Sequence, residues 1–79
     1  MQNLETAQEV FIIINQKVIQ SEFFTGIEIA SYKKGNTYTD ELCVRVLVNN
    51  PNVTHQQLNI PTSLNNIPII IETRIIKPL

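Results

Sequence analysis

Glycine occurs only twice in this 79-residue chain, at Gly26 and Gly35; cysteine and histidine occur once each, at Cys43 and His55, and tryptophan is absent. Each scarcity excludes something. Two isolated glycines cannot build the glycine-rich loop whose backbone amides cradle a nucleotide phosphate. One cysteine makes neither an intramolecular disulfide nor a multi-cysteine zinc site. The longest apolar run near the N-terminus, Val10–Ile14, is too short for a signal-peptide core or a membrane span, and no basic segment precedes it. Positive charge is equally sparse. Six basic residues stand against seven acidic ones, for a net charge of −1, and only Lys33 and Lys34 are adjacent. A nucleic-acid binder presents a basic face that displaces counterions from phosphates. No nucleic-acid or membrane partner is therefore expected, and the expected location is cytoplasmic. Asn52-Val53-Thr54 matches a glycosylation sequon but reads as an ordinary surface loop without a secretory signal.

What is present is enough to fold. The apolar fraction, 43%, is that of a globule rather than a disordered tail. One domain, residues 1–79, is expected. A chain of this length buries roughly 60% of the surface its unfolded form exposes. Net stability for so small a core is about 3–5 kcal/mol, and self-association is a common supplement.

Residues 3–20 read as a helix. Thr6-Ala7-Gln8-Glu9 has the spacing of a capping box, with Asn3 as the rival cap. Ala7, Val10, Phe11, Ile14 and Val18 recur at helical spacing, although the β-formers in Val10–Ile14 leave a strand as the alternative. Gly26–Lys33 and Thr39–Val48 then read as a hairpin around Lys34-Gly35-Asn36, which supplies residues tolerant of positive φ. The second strand alternates most cleanly, with Leu42, Val44, Val46 and Val48 on one face and Cys43, Arg45 and Leu47 on the other. Thr39-Asp40-Glu41 interrupts the pattern and predicts a β-bulge, with Asp40 bonding nearby amides. Tyr32 and Tyr38 are placed to pair across the strands. Asn49–Ile67 reads as a long connection with a helical turn at Thr54–Leu58, capped by Thr54, and a second turn at Asn65-Asn66. Pro68 opens a last strand, Ile69–Ile76. The expected fold is α+β: an N-terminal helix on one face of a small three-stranded, mostly antiparallel sheet, in the order α-β-β-(short α)-β.

No catalytic constellation emerges. His55 lies in a polar loop with no ligand cluster or triad around it and reads as a solvated loop histidine. Cys43, embedded in a strand, reads as a packing residue. Asp40 and Glu41 are neighbours, and neighbours on a strand diverge. No enzyme activity, cofactor or metal is expected. The face opposite the inferred core is more informative. Glu28, Arg45, Glu72 and Arg74 share it with Ala30, Cys43, Leu47, Ile70 and Ile76. Two readings stand: a solvated face with cross-strand charge pairs, or an interface for a second copy or another protein.

Gly26–Lys33 followed by Thr39–Val48 resembles the G-x-G-x-G-x-K … T-D-E-L-x-x-x-V-x-V pattern of a small bacterial α+β module found N-terminal to trypsin-like serine peptidase domains. Ile60–Ile71 echoes that module's closing segment, I-P-x-x-I-x-G-x-P-x-x-V. The similarity spans about residues 24–76, with Glu28 and Ala30 where the family has small residues and Asn66 in place of its turn glycine. The peptidase domain, and with it any Ser/His/Asp machinery, is missing from this sequence. The resemblance implies an accessory module. A trans-acting, pro-segment-like regulator of a peptidase is the alternative, and a small-molecule binder using Cys43, His55 or Asp40 is a third reading.

Overall fold

The computed structural model describes residues 4–74. Helix α1 spans Leu4–Val18 and buries Ala7, Val10, Ile14 and Val18, residues three and four apart on one stripe. The stripe prevails over the strand-forming run because it gives one face of a helix a core to cover. Thr6 lies inside the first turn rather than at a cap, so the expected capping box does not start this helix. The rival cap, Asn3, lies outside the described residues. After α1 the chain turns on Ser21, whose amide donates to Val18 O and whose hydroxyl accepts from the Phe23 amide. Phe23 and Phe24, although adjacent, are both partly buried against the core.

Strands β1 (Phe24–Lys34) and β2 (Thr37–Val48) form the expected hairpin, each starting two residues earlier than expected and β1 ending one residue later. Its two-residue turn has Gly35 at φ +65°, while Asn36 keeps a negative φ. Glycine at the first central position is the requirement of a type II′ turn. The register is irregular in two places. One residue of β1 is extra between Phe24 and Gly26, and two residues of β2 are extra between Leu42 and Tyr38, opposite Tyr32. The second irregularity is the bulge expected at Thr39-Asp40-Glu41. Thr39, not Asp40, pins it: the Thr39 hydroxyl donates to Tyr32 O at 2.8 Å and accepts from the Glu41 amide at 3.2 Å. Tyr38 pairs with Lys33 rather than Tyr32, the ammonium lying 5.7 Å from the ring centroid.

The connection after β2 contains α2 (His55–Leu58), held by a complete capping box in which the Thr54 side chain takes the Gln57 amide and the Gln57 side chain takes the Thr54 amide. Asn59, at φ 57°, closes it with the amides of Asn59 and Ile60 donating to Gln56 O and His55 O. Strands β3 (Ser63–Leu64) and β4 (Ile67–Thr73) form a second hairpin around Asn65-Asn66, both at positive φ. Pro68 sits one residue before the ladder to β2 begins, where its missing amide costs no bond in that ladder. The end of the expected last strand, Ile75 and Ile76, lies outside the described residues.

The sheet order is β1-β2-β4-β3. This corrects the expected three-stranded, mostly antiparallel sheet: the described residues form four strands in a mixed sheet, and β2 pairs with β4 in parallel, Val44 opposite Ile69 through Val48 opposite Thr73. A parallel pair needs a crossover, and the segment holding α2 provides it. Val53, Leu58 and Ile60 of that segment share one core cluster with α1 and with Val44, Val46, Val48, Ile67 and Ile69 of the sheet. The helix and the crossover therefore cover the same sheet face. No helix among the described residues is long and apolar enough to cross a membrane.

Ile14 is fully buried at the centre of this layer. Ile14→Ala should cost about 2–5 kcal/mol, and Lys17→Ala, on the exposed side, less than about 0.5 kcal/mol. Urea unfolding followed by circular dichroism measures both.

Candidate functional site

The register places Gly26, Glu28 and Ala30 of β1, Cys43, Arg45 and Leu47 of β2, and Ile70 and Glu72 of β4 on the sheet face away from α1. Glu28, Arg45 and Ile70 stand in one row across the three strands, and Gly26, Leu47 and Glu72 in the next. Arg45 Nη1 donates to Glu28 Oε1 at 3.1 Å, and Arg45 Nε lies 3.3 Å from Glu72 Oε2. One guanidinium thus ties all three strands together. Its own side chain is 22% exposed, while the carboxylates it holds are 42% and 49% exposed. The cluster carries a net charge of −1, turned outward on two fixed carboxylates.

The apolar members of this face are mostly covered. Cys43 and Leu47 are buried, although neither belongs to the core cluster under α1. Leu47 occupies the space over Gly26: a Cβ on Gly26 would lie 3.3 Å from Leu47 Cδ1, closer than most such contacts. A side chain at position 26 would therefore press on the tip of Leu47 and make it give by a few tenths of an ångström, a contact single-strand patterning does not reveal. Ala30 and Ile70 are half-buried, and Arg74 is exposed, its amide bonded to Val48 O at 2.8 Å. Ile76, the remaining expected member, lies outside the described residues. Burial pushes the Cys43 thiol above its ordinary range; Arg45 opposes this and Glu28 adds to it. A thiol so placed stays protonated and is a poor nucleophile.

The other candidates are engaged or dispersed. His55 Nε2 lies 2.7 Å from Ile69 O. A carbonyl only accepts, so Nε2 carries the proton. The Ile69 amide, for its part, donates to Thr62 O at 2.9 Å. His55 therefore closes the backbone of β4 on the side away from β2 and is not a solvated loop residue. This contact joins residues 14 apart in sequence and depends on the second hairpin, so local sequence carries no signal for it. Asp40 and Glu41 are exposed at the bulge. Among the described residues no group of three or more His, Cys, Asp or Glu side chains is placed to hold a metal ion. Comparison with protein-family models, curated proteins and solved structures finds no match to this chain.

Two outcomes follow from this geometry. Arg45→Met should cost about 1 kcal/mol, because two facing carboxylates lose their shared cation, and the loss should shrink in 1 M salt; paired denaturation curves at low and high salt read it. The Cys43 thiol should resist a disulfide reagent at pH 8 in the native protein and react fully in denaturant, with a protection of at least about 100-fold in rate if access needs opening of the fold.

Proposed function

We propose that this chain is a non-enzymatic interaction module that presents the outer face of β1, β2 and β4 to a protein partner. The observation that carries the reading is the Arg45 bracket. Glu28 and Glu72 are held by one guanidinium on a three-strand platform, half-exposed and bordered by Ala30 and Ile70. Fixed carboxylates are already ordered before binding, so less conformational entropy is lost on association. The surface that complements them carries a Lys or Arg between aliphatic side chains, since matched charge steers encounter and suppresses wrong partners.

Two further observations support the reading. The groups best suited to chemistry are committed elsewhere: Cys43 is buried, and His55 bonds to backbone. The resemblance of residues 24–76 to a module appended to peptidases also fits an accessory role rather than an activity of its own.

The test is affinity capture with the tagged full chain from lysate of its source cells, quantified by mass spectrometry. The bait is compared with a Glu28→Lys/Glu72→Lys double variant and a Gln56→Lys control on α2. A partner enriched by wild type and by the control, and reduced at least about tenfold by the double variant, is the expected result. An identical set of captured proteins with all three baits contradicts the proposal, as does the absence of any enriched protein.

A further inference from the structure

A second surface, independent of the outer face, is the free edge of β1. Among the described residues this strand has β2 on one side and no strand on the other. The Asn49 amide donates to Phe23 O, and Val48 O accepts from the Arg74 amide. Alternate residues of β2 therefore turn their backbone groups to opposite sides: 44, 46 and 48 toward β4, and 43, 45 and 47 toward β1. Their partners Ala30, Glu28 and Gly26 point back at β2. The backbone amides and carbonyls of Ile27, Ile29 and Ser31 consequently point away from the sheet, in a regular stretch bounded by the two irregularities in register.

We propose that this edge pairs with the same edge of a second copy, antiparallel about a two-fold axis at Ile29. Self-complementarity selects the register. With Ile29 opposite Ile29 of the second copy, Glu28 faces Ala30, Ile27 faces Ser31, and no charge meets its like. Centring on Glu28 sets carboxylate against carboxylate, which destabilises a cross-strand pair. Centring on Ala30 brings Lys33 opposite Ile27. The Ile29 register also pairs the most outward-pointing backbone groups of the regular stretch, two bonds at Ile29 and two at each of the two Ile27–Ser31 pairs, whereas a centre at Glu28 or Ala30 pairs only two of the three residues.

The helix supplies the second half of the contact. Leu4, Ile12 and Ile19 are more than half exposed, at 55%, 56% and 57%. On a helix wheel Leu4 occupies the flank next to Phe11, roughly 75° from the centre of the buried stripe, and Ile19 and Ile12 lie beyond it on the same side, at about 135° and 155°. The α2 crossover from β2 to β4 runs on the α1 side of the sheet, and such crossovers are right-handed. With α1 running antiparallel to β1 through the short turn at Ser21, that hand directs the Phe11 flank toward the β1 edge. Edge pairing of two copies sets their β1 strands about 4.8 Å apart and brings the two α1 helices side by side above the joint, with Leu4 on the facing flanks and Ile19 and Ile12 along the upper rim of the seam. Half-buried Ile27 and Ile29 lie beneath. The irregularities at both ends keep the pairing short, and the two-fold closes it, so the product is a dimer rather than a fibre.

Sedimentation velocity across about 1 µM to 1 mM of the full chain tests this, with two variants checked for fold by circular dichroism. Ser31→Pro removes an outward-pointing amide and no core side chain. Ile12→Glu/Ile19→Glu sets like charges across the two-fold while leaving the buried stripe of α1 intact. The expected result is a wild-type dimer whose dissociation constant rises at least about tenfold in each folded variant; if Ser31→Pro fails to fold, the helix variant alone decides. A monomeric wild type throughout this range overturns the proposal, and so does a dimer of unchanged affinity in the folded variants. Glu72→Lys lies on β4, two strands from this edge, and should leave the dimer unchanged, so failure of one surface is distinguishable from failure of the other.

Discussion

The structure depends on β2 being sandwiched. Val44, Val46 and Val48 are fully buried on the α1 side of the sheet, while the same stretch of backbone is paired antiparallel to β1 and parallel to β4. A strand paired on both edges and covered on one face satisfies its backbone and buries its apolar side chains together. In a chain this small, that economy is decisive, because each buried residue is a large share of a core worth only a few kcal/mol net. The parallel pairing also dictates where the rest of the chain goes. It demands a crossover, the crossover lies on the helix side, and Val53, Leu58 and Ile60 thereby join the same core. The opposite face is left with a single guanidinium stitching three strands.

Much of the local structure was legible because local chemistry decides it. Gly35 permits the hairpin turn, Thr54 and Gln57 cap α2, and Asn65-Asn66 adopts the left-handed conformation the second turn requires. The bulge at Thr39–Glu41 was visible as a break in alternation, though the residue that fixes it is Thr39. What could not be read locally was long-range. The parallel partnership of β2 and β4 is not specified by either strand alone, since a short continuous apolar run such as Ile69-Ile70-Ile71 suits a buried strand of either sense. Strand β3 is two residues long, too short to show any period.

The outer face shows the same division. Alternation in β2 assigned Cys43, Arg45 and Leu47 to it, and the register places Glu28 and Glu72 on either side of Arg45. Cys43 is buried there, as its place in the strand led one to expect, while the packing of Leu47 over Gly26 depends on the register between β1 and β2 and has no local signal. The face is consequently less apolar in what it exposes than its sequence suggests. Exposed apolar surface is instead concentrated on α1, at Leu4, Ile12, Ile13 and Ile19, together with Tyr38 near the hairpin tip. His55 completes the contrast between the sheet's two sides: the backbone of Ile69 is closed by a side chain and a loop, whereas among the described residues no strand pairs with the outer edge of β1.

The central claim is that β2 is an interior strand, and amide hydrogen exchange by NMR tests it most directly. The amides of Val44, Val46 and Val48 should exchange with the slowest class in the protein, at rates that track global unfolding, because they point toward β4. Exchange at those three amides as fast as at Ile27 and Ile29 in the dilute chain, with slow exchange confined to residues 43, 45 and 47, would mean that the sheet ends at β2 and would contradict the account.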